Sequence, residues 1–269
     1  MSDAQPTHST HPALTYSSYL ALDEILGAQR PRSDEHDEML FIVIHQVYEL
    51  WFKQLLHELA HLQYMLEKVD TAHSVRTLRR ALTILKVVVA QIDVLETMTP
   101  RQFTSFRARL DAASGFQSGQ FRELEAVLGR RDERMLQPYE KGSEAHDRIT
   151  AAMSRRSIFD SFLAYLAGSG YDIPSSHLNR DLRLPWEAAP DVQRVLVQVY
   201  GDDAGPSTVA DLLVDLDEGM QEWRYRHVKM VERTIGSKAG TGGSAGVAYL
   251  QRTLFQPVFP DLWAVRSEL

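Results

Sequence analysis

The sequence predicts an all-α fold: a single mostly helical domain over residues 15–269, preceded by a flexible leader at 1–14. Apolar residues recur at helical spacing along most segments, and glycine and proline gather between those segments. There is no convincing β alternation, no internal repeat and no clean linker. With 44% apolar and 24% charged residues, the 269-residue chain carries enough hydrophobic material for a sizeable core.

In order, Tyr19, Leu20, Leu22, Ile25 and Leu26 predict an amphipathic helix from Ser17 to Ala28, closed at Arg30-Pro31. Ser33 or Asp34 can then cap a long helix from about His36 to Val69, whose first turn is acidic and suits the positive helix end. A second long helix runs from about Ala72 to Met98. Its Val87-Val88-Val89 run is β-branched, but its length favours helix. Thr99-Pro100 supplies a cap and first residue for the helix RQFTSFRARL. After the break ASGFQSG, a helix from about Gln120 to Leu128 stops at Gly129. Residues 130–148 read as charged and irregular, 157–167 as helix and 168–191 as loop-rich. Two further helices cover DVQRVLVQVY and STVADLLVDLDEGMQEWRYRHVKMVERTIG. The glycine-rich loop SKAGTGGSAG follows, then helical AYLQRTL and the tail FQPVFPDLW.

A formal charge of −7 argues against nucleic acid and anionic membrane surfaces as partners. The absence of cysteine removes disulfides, iron–sulfur clusters, a thiolate haem ligand and covalent haem attachment. The polar N-terminus has no signal-peptide core, and no apolar run approaches the roughly 18 residues of a transmembrane helix. The expectation is a soluble cytoplasmic protein in which any metal relies on the ten histidines and the carboxylates.

His57-Glu58-Leu59-Ala60-His61 fits the H-E-x-x-H pattern of zinc hydrolases. On the helical wheel, however, Leu40, Ile44, Tyr48, Trp51, Leu55, Leu59, Leu62 and Leu66 form the apolar stripe. His57 and His61 fall on the polar side, without a third ligand or a cleft wall. Solvent-facing or interface histidines are the favoured reading. His45 lies at the edge of the apolar stripe, beside Phe41, as either a satisfied core residue or a functional one. His227, among arginines, is either a surface histidine or an axial metal ligand whose neighbouring cations match an anionic cofactor edge. GTGGSAG lacks the phosphate-loop lysine and reads as a mobile lid. Arg107 is either a surface charge or a bidentate carboxylate clamp.

Three long blocks together carry a resemblance: HDEMLFIVIHQVYELWFKQLLHEL (36–59), LETMTPRQFTSFRARLDAASGFQSGQFRELEAVLG (95–129) and WRYRHVKMVERTIGSKAGTGGSAGVAYLQRT (223–253). They closely resemble the tryptophan 2,3-dioxygenase family, whose beginning and end LTYSSYLALDEIL and FPDLW also match; 130–220 is similar only loosely. The resemblance implies an all-helical homotetramer that binds haem b non-covalently. It also implies insertion of both atoms of the co-substrate O2 across the indole C2–C3 bond of L-tryptophan, giving N-formylkynurenine. By the same resemblance His227 is the axial haem ligand and His45 the catalytic residue that accepts the indole N–H. Arg107 and Thr241 bind the amino-acid end, Phe41 and Phe103 line the indole pocket, and Ser114 and Gly115 lie against the haem. Tyr16, Tyr19 and Leu20 reach a neighbouring subunit's pocket. Phe103 stands where some bacterial members carry tyrosine, and Val47-Tyr48 resembles the animal type. Three alternatives remain open at this stage: a related haem monooxygenase acting on a tryptophan derivative, the zinc hydrolase, and a helical interaction protein without a cofactor.

Overall fold

The computed structural model describes residues 13–110, 113, 117–236, 238 and 250–269. All but the last two residues of the expected leader, most of the glycine-rich loop and the start of AYLQRTL therefore lie outside the described residues. Two short helices, α1 (Tyr16–Leu20) and α2 (Leu22–Leu26), stand where one is expected. Thr15 and Ser18 form a reciprocal capping box that starts α1, and Ala21, left-handed at φ 50°, ends it. That conformation costs an alanine roughly 1–2 kcal/mol, and the same residue is the N-cap of α2.

Helix α3 (His36–Glu67) is the scaffold of the site. Neither Ser33 nor Asp34 caps it; the N-cap position is Glu35. The Ser33 backbone N–H and hydroxyl both donate instead to the buried carboxylate of Glu38, which also accepts the Arg32 N–H at 2.8 Å. The expected stripe is the buried one: Ile44, Tyr48, Leu55, Leu59, Leu62 and Leu66 are core residues, while His57 and His61 are exposed. Helix α4 (Thr71–Leu95) packs along α3 and along the later helix α11. Its valine run is helical because Val88 and Val89 are buried between these neighbours while Val87 faces outward. Helix α5 (Pro100–Arg107) begins at the expected Thr99-Pro100 cap, completed by Gln102.

Helix α6 (Gly119–Leu128) ends at Gly129, whose φ of 130° suits glycine. The stretch expected to be irregular contains a short 3-10 turn at Glu133–Leu136 and runs into α7 (Glu144–Met153), capped by Ser143. Only three residues of α7 are buried, Ile149, Ala152 and Met153, so its apolar signal is hidden behind EAHDR. Then come α8 (Ile158–Gly168), α9 (Ser175–Leu178), α10 (Pro190–Gly201), α11 (Gly205–Ile235) and α12 (Pro260–Ala264). Among the described residues there is no strand, and no helix is long and apolar enough to cross a membrane.

Two buried aspartates tie the tail to the bundle. Asp217 accepts the backbone N–H groups of Val258 and Phe259 and the indole N–H of Trp263, at 2.7–2.9 Å. Asp261 accepts from the Trp186 indole at 2.6 Å, the Ala189 backbone at 2.8 Å and the Gln193 amide at 2.7 Å. The loop before α10 is held at a third point, where the Arg180 guanidinium forks onto Asp160 at 2.7 and 3.0 Å. Burial alone would raise the Asp160 carboxyl, but the bonds from Arg180 and Ser157 outweigh it and hold it below its ordinary value. A carboxyl depressed on folding stabilises fully above its unfolded pKa of about 4, and that contribution is lost as pH falls through the folded value. Urea midpoints are therefore expected to fall from pH 5 to pH 2. Asp160→Asn is expected to lower the neutral-pH midpoint and flatten this acid limb; an unchanged slope would contradict the role of the pair.

Candidate active site

Where α3, α4, α6 and α11 face one another, the bundle leaves a cavity. Its wall is apolar over much of its extent, with Phe52, Ile92, Leu95, Phe121, Met230 and Leu250. His45 from α3 and His227 from α11 both line it. Two residues almost two hundred positions apart in the chain thus share one chamber because α4 packs between their helices.

His45 is oriented by its own helix. Its Nδ1 lies 2.7 Å from the Phe41 carbonyl oxygen, an atom that can only accept, so Nδ1 carries the proton and Nε2 is left as an acceptor. Burial lowers the pKa of this imidazole, against weaker upward pulls from the Phe41 carbonyl and Glu49. The Phe41 ring packs on His45 at 4.2 Å and on Phe103 at 5.7 Å, and Phe106 lies against both phenylalanines. The candidate pocket residues of α3 and α5 are therefore in contact. Arg107 is half-buried, one turn after Phe103 at the end of α5.

His227 stacks on Trp223, with ring centroids 5.0 Å apart and planes within 5°. Burial pushes its imidazole down to about 4, helped by the proximity of His45 and Arg122. Neutral at physiological pH, it has no hydrogen bond to any described residue and is chemically ready to ligate.

At one end of the cavity sits an unusual charge cluster. Glu125, 2% exposed, accepts from Arg122 at 2.6 Å, Arg130 at 3.0 Å and Arg224 at 3.3 Å. Burial alone would raise its carboxyl, but the three guanidinium groups hold it below its ordinary value. Arg130 also pairs with Asp132 at 3.6 Å, and Glu49 lines the same cavity, so the three guanidinium groups stand among three carboxylates. Two buried donors in the same wall, the Trp223 indole N–H and Arg224 Nε, have no hydrogen-bond partner among the described residues. A flat, largely apolar group with anionic edges and an iron atom fits this donor set: imidazole for the metal, hydrocarbon for the plane, guanidinium for the edge.

Arg122 and Glu125 escape the sequence reading, although charges at i and i+3 on the apolar side of FRELEAVL are their trace. Tyr16 and Tyr19 are 76% and 72% exposed and Leu20 is half-buried; none of them lines the cavity of its own chain. Thr241, Ser114 and Gly115 lie outside the described residues.

Comparison with known proteins identifies the family. Residues 1–165 and 177–269 match the family described as tryptophan 2,3-dioxygenase. The tryptophan 2,3-dioxygenase of Anaeromyxobacter sp. strain K is 65% identical over 259 residues, covering 96% of this chain and 97% of the relative. That of Herpetosiphon aurantiacus is 56% identical, covering 96% and 99%, and that of Bacillus cereus 42%, covering 95% and 93%. The match runs through nearly the whole chain and includes all four cavity-forming helices: the chain belongs to the tryptophan 2,3-dioxygenase family.

Proposed function

We propose that the protein is a haem-dependent dioxygenase that converts L-tryptophan and O2 to N-formylkynurenine, breaking the indole C2–C3 bond and retaining both oxygen atoms. The observation that carries this reading is that two neutral histidines, His45 and His227, line one largely apolar cavity that has guanidinium groups in its wall. His227 would hold the iron of haem b, and Arg122 and Arg224 would face its carboxylates. Family resemblance adds Ser114 and Gly115 beside the plane. Haem bound there supplies the binding and activation of O2.

The remaining work belongs to the chain's own side chains. His45 holds its proton at Nδ1 against the Phe41 carbonyl, so Nε2 accepts the indole N–H and sets the orientation of the ring. Phe41 and Phe103 enclose the indole and exclude water. Arg107 grips the carboxylate, and Thr241 meets the carboxylate and ammonium. The exposed aromatic surface of Tyr16 and Tyr19 supports a homotetramer in which α1 completes a neighbour's pocket. Assembly and activity are then linked.

Reduced, haem-loaded protein given L-tryptophan and O2 should accumulate N-formylkynurenine, read by its near-ultraviolet absorbance and by a mass gain of two oxygen atoms. An oxindole or hydroxylated product without N-formylkynurenine would overturn the assignment. Arg107→Leu should raise KM for L-tryptophan by about thirty- to a hundred-and-fiftyfold, the loss of one charge-assisted contact worth roughly 2–3 kcal/mol. Its activity on indoles without a carboxylate should change little; equal losses on both substrates would place Arg107 elsewhere.

A further inference from the structure

The His57–His61 stretch has no part in the cavity. Both histidines are exposed on one face of α3, and neither imidazole makes a hydrogen bond or ion pair with any described residue. Residues four apart on a helix stand about 5–6 Å apart at Cβ. Two imidazoles at that spacing can each bring a nitrogen to about 2 Å from one ion. No existing interaction has to be broken for them to do so.

Glu58, between them, is turned the other way. It is 3% exposed and accepts the Gln54 amide at 2.8 Å and Arg80 Nη1 at 3.2 and 3.3 Å. Held inward, it serves neither as a further ligand nor as a general base over a metal-bound water. Among the described residues no group of three or more His, Asp and Glu gathers to hold a metal. The hydrolase reading of H-E-x-x-H therefore fails on the position of its glutamate, while the pair of ligands remains.

We propose that His57 and His61 form a solvent-facing two-histidine site for a borderline divalent transition ion, Zn2+ or Cu2+, with water filling the other positions. This goes beyond the dioxygenase reading and does not depend on it. Imidazole nitrogen selects these ions over Mg2+ and Ca2+, which take oxygen ligands, and favours Cu2+ over Zn2+. Lys53, one turn before His57, and Arg80 beside Glu58 are nearby cations that weaken the site, so chelators should strip it easily. An ion joining successive turns clamps α3 in its helical form, three turns beyond His45 on the same rigid element.

The test uses haem-loaded protein, stripped with EDTA and dialysed against ZnCl2 or MgCl2 in a non-coordinating buffer, with metals counted by elemental analysis. About one zinc per chain is expected above the iron content, with no corresponding uptake of magnesium. His57→Ala and His61→Ala should each weaken zinc binding at least tenfold, whereas His73→Ala should leave it unchanged. Both sites are exposed and alanine is a strong helix former, so haem absorbance and circular dichroism should stay normal. No saturable zinc uptake by the wild-type chain would overturn the proposal, as would wild-type affinity in either the His57 or the His61 variant.

Discussion

Replacing His227 with alanine is expected to abolish haem retention and, with it, dioxygenase activity. The imidazole is neutral, carries no hydrogen bond to any described residue and lines the same cavity as His45. No other histidine of α11 exists to replace it, and the chain has no cysteine. The Soret band per chain should fall to background after gel filtration, while the helical circular dichroism persists, because the change deletes a cavity wall rather than a core residue. External imidazole should restore part of the absorbance. His45→Ala is the informative contrast: the haem spectrum should remain and the rate on L-tryptophan should fall, since the lost group orients the indole rather than holding iron. A normal spectrum with full activity in the His227 variant would refute the ligand assignment.

Glu125→Gln is expected to produce the largest loss of stability. The substitution preserves shape but leaves Arg122, Arg130 and Arg224 without their shared anion, and two of these guanidinium groups are nearly as buried as the carboxylate. Removing one partner of a buried ion pair costs about 3–5 kcal/mol, chiefly because the remaining charge stays desolvated. The penalty should be greatest in the haem-free chain and smaller in the loaded one, where the cofactor's carboxylates would supply compensating negative charge. Urea unfolding of both forms measures the difference. Equal losses in the two forms would mean that these guanidinium groups do not meet the cofactor.

The helical architecture was legible because it is written locally. The stripe on α3, the Thr99-Pro100 start of α5 and the stop at Gly129 each depend on residues within a turn or two of one another. Helix α7 was not legible, since its three buried residues are scattered among charges and draw their stability from packing on α6. The break at Ala21 was equally hidden, because alanine is a strong helix former and its left-handed geometry reflects how the chain must turn.

For the site, the sequence by itself singled out His45 and His227 and left each with a structural and a functional reading. Resemblance, not spacing, gave them roles. It also identified Phe41 and Phe103 as candidates and gave a role to Arg107, which the sequence had left as a surface charge or a carboxylate clamp; the two phenylalanines are in contact, and Phe41 packs on His45. What only the tertiary structure decided is the chamber itself. It rests on α4 setting the separation of α3 and α11, on the tautomer that the Phe41 carbonyl imposes on His45, and on Glu125 gathering arginines from two helices and a loop. It also decided the fate of H-E-x-x-H, by turning Glu58 inward. The physical reason is common to these cases: a helical pattern records which side of each segment is buried, whereas pKa, hydrogen-bond partner and cavity depend on which other segments are buried against it.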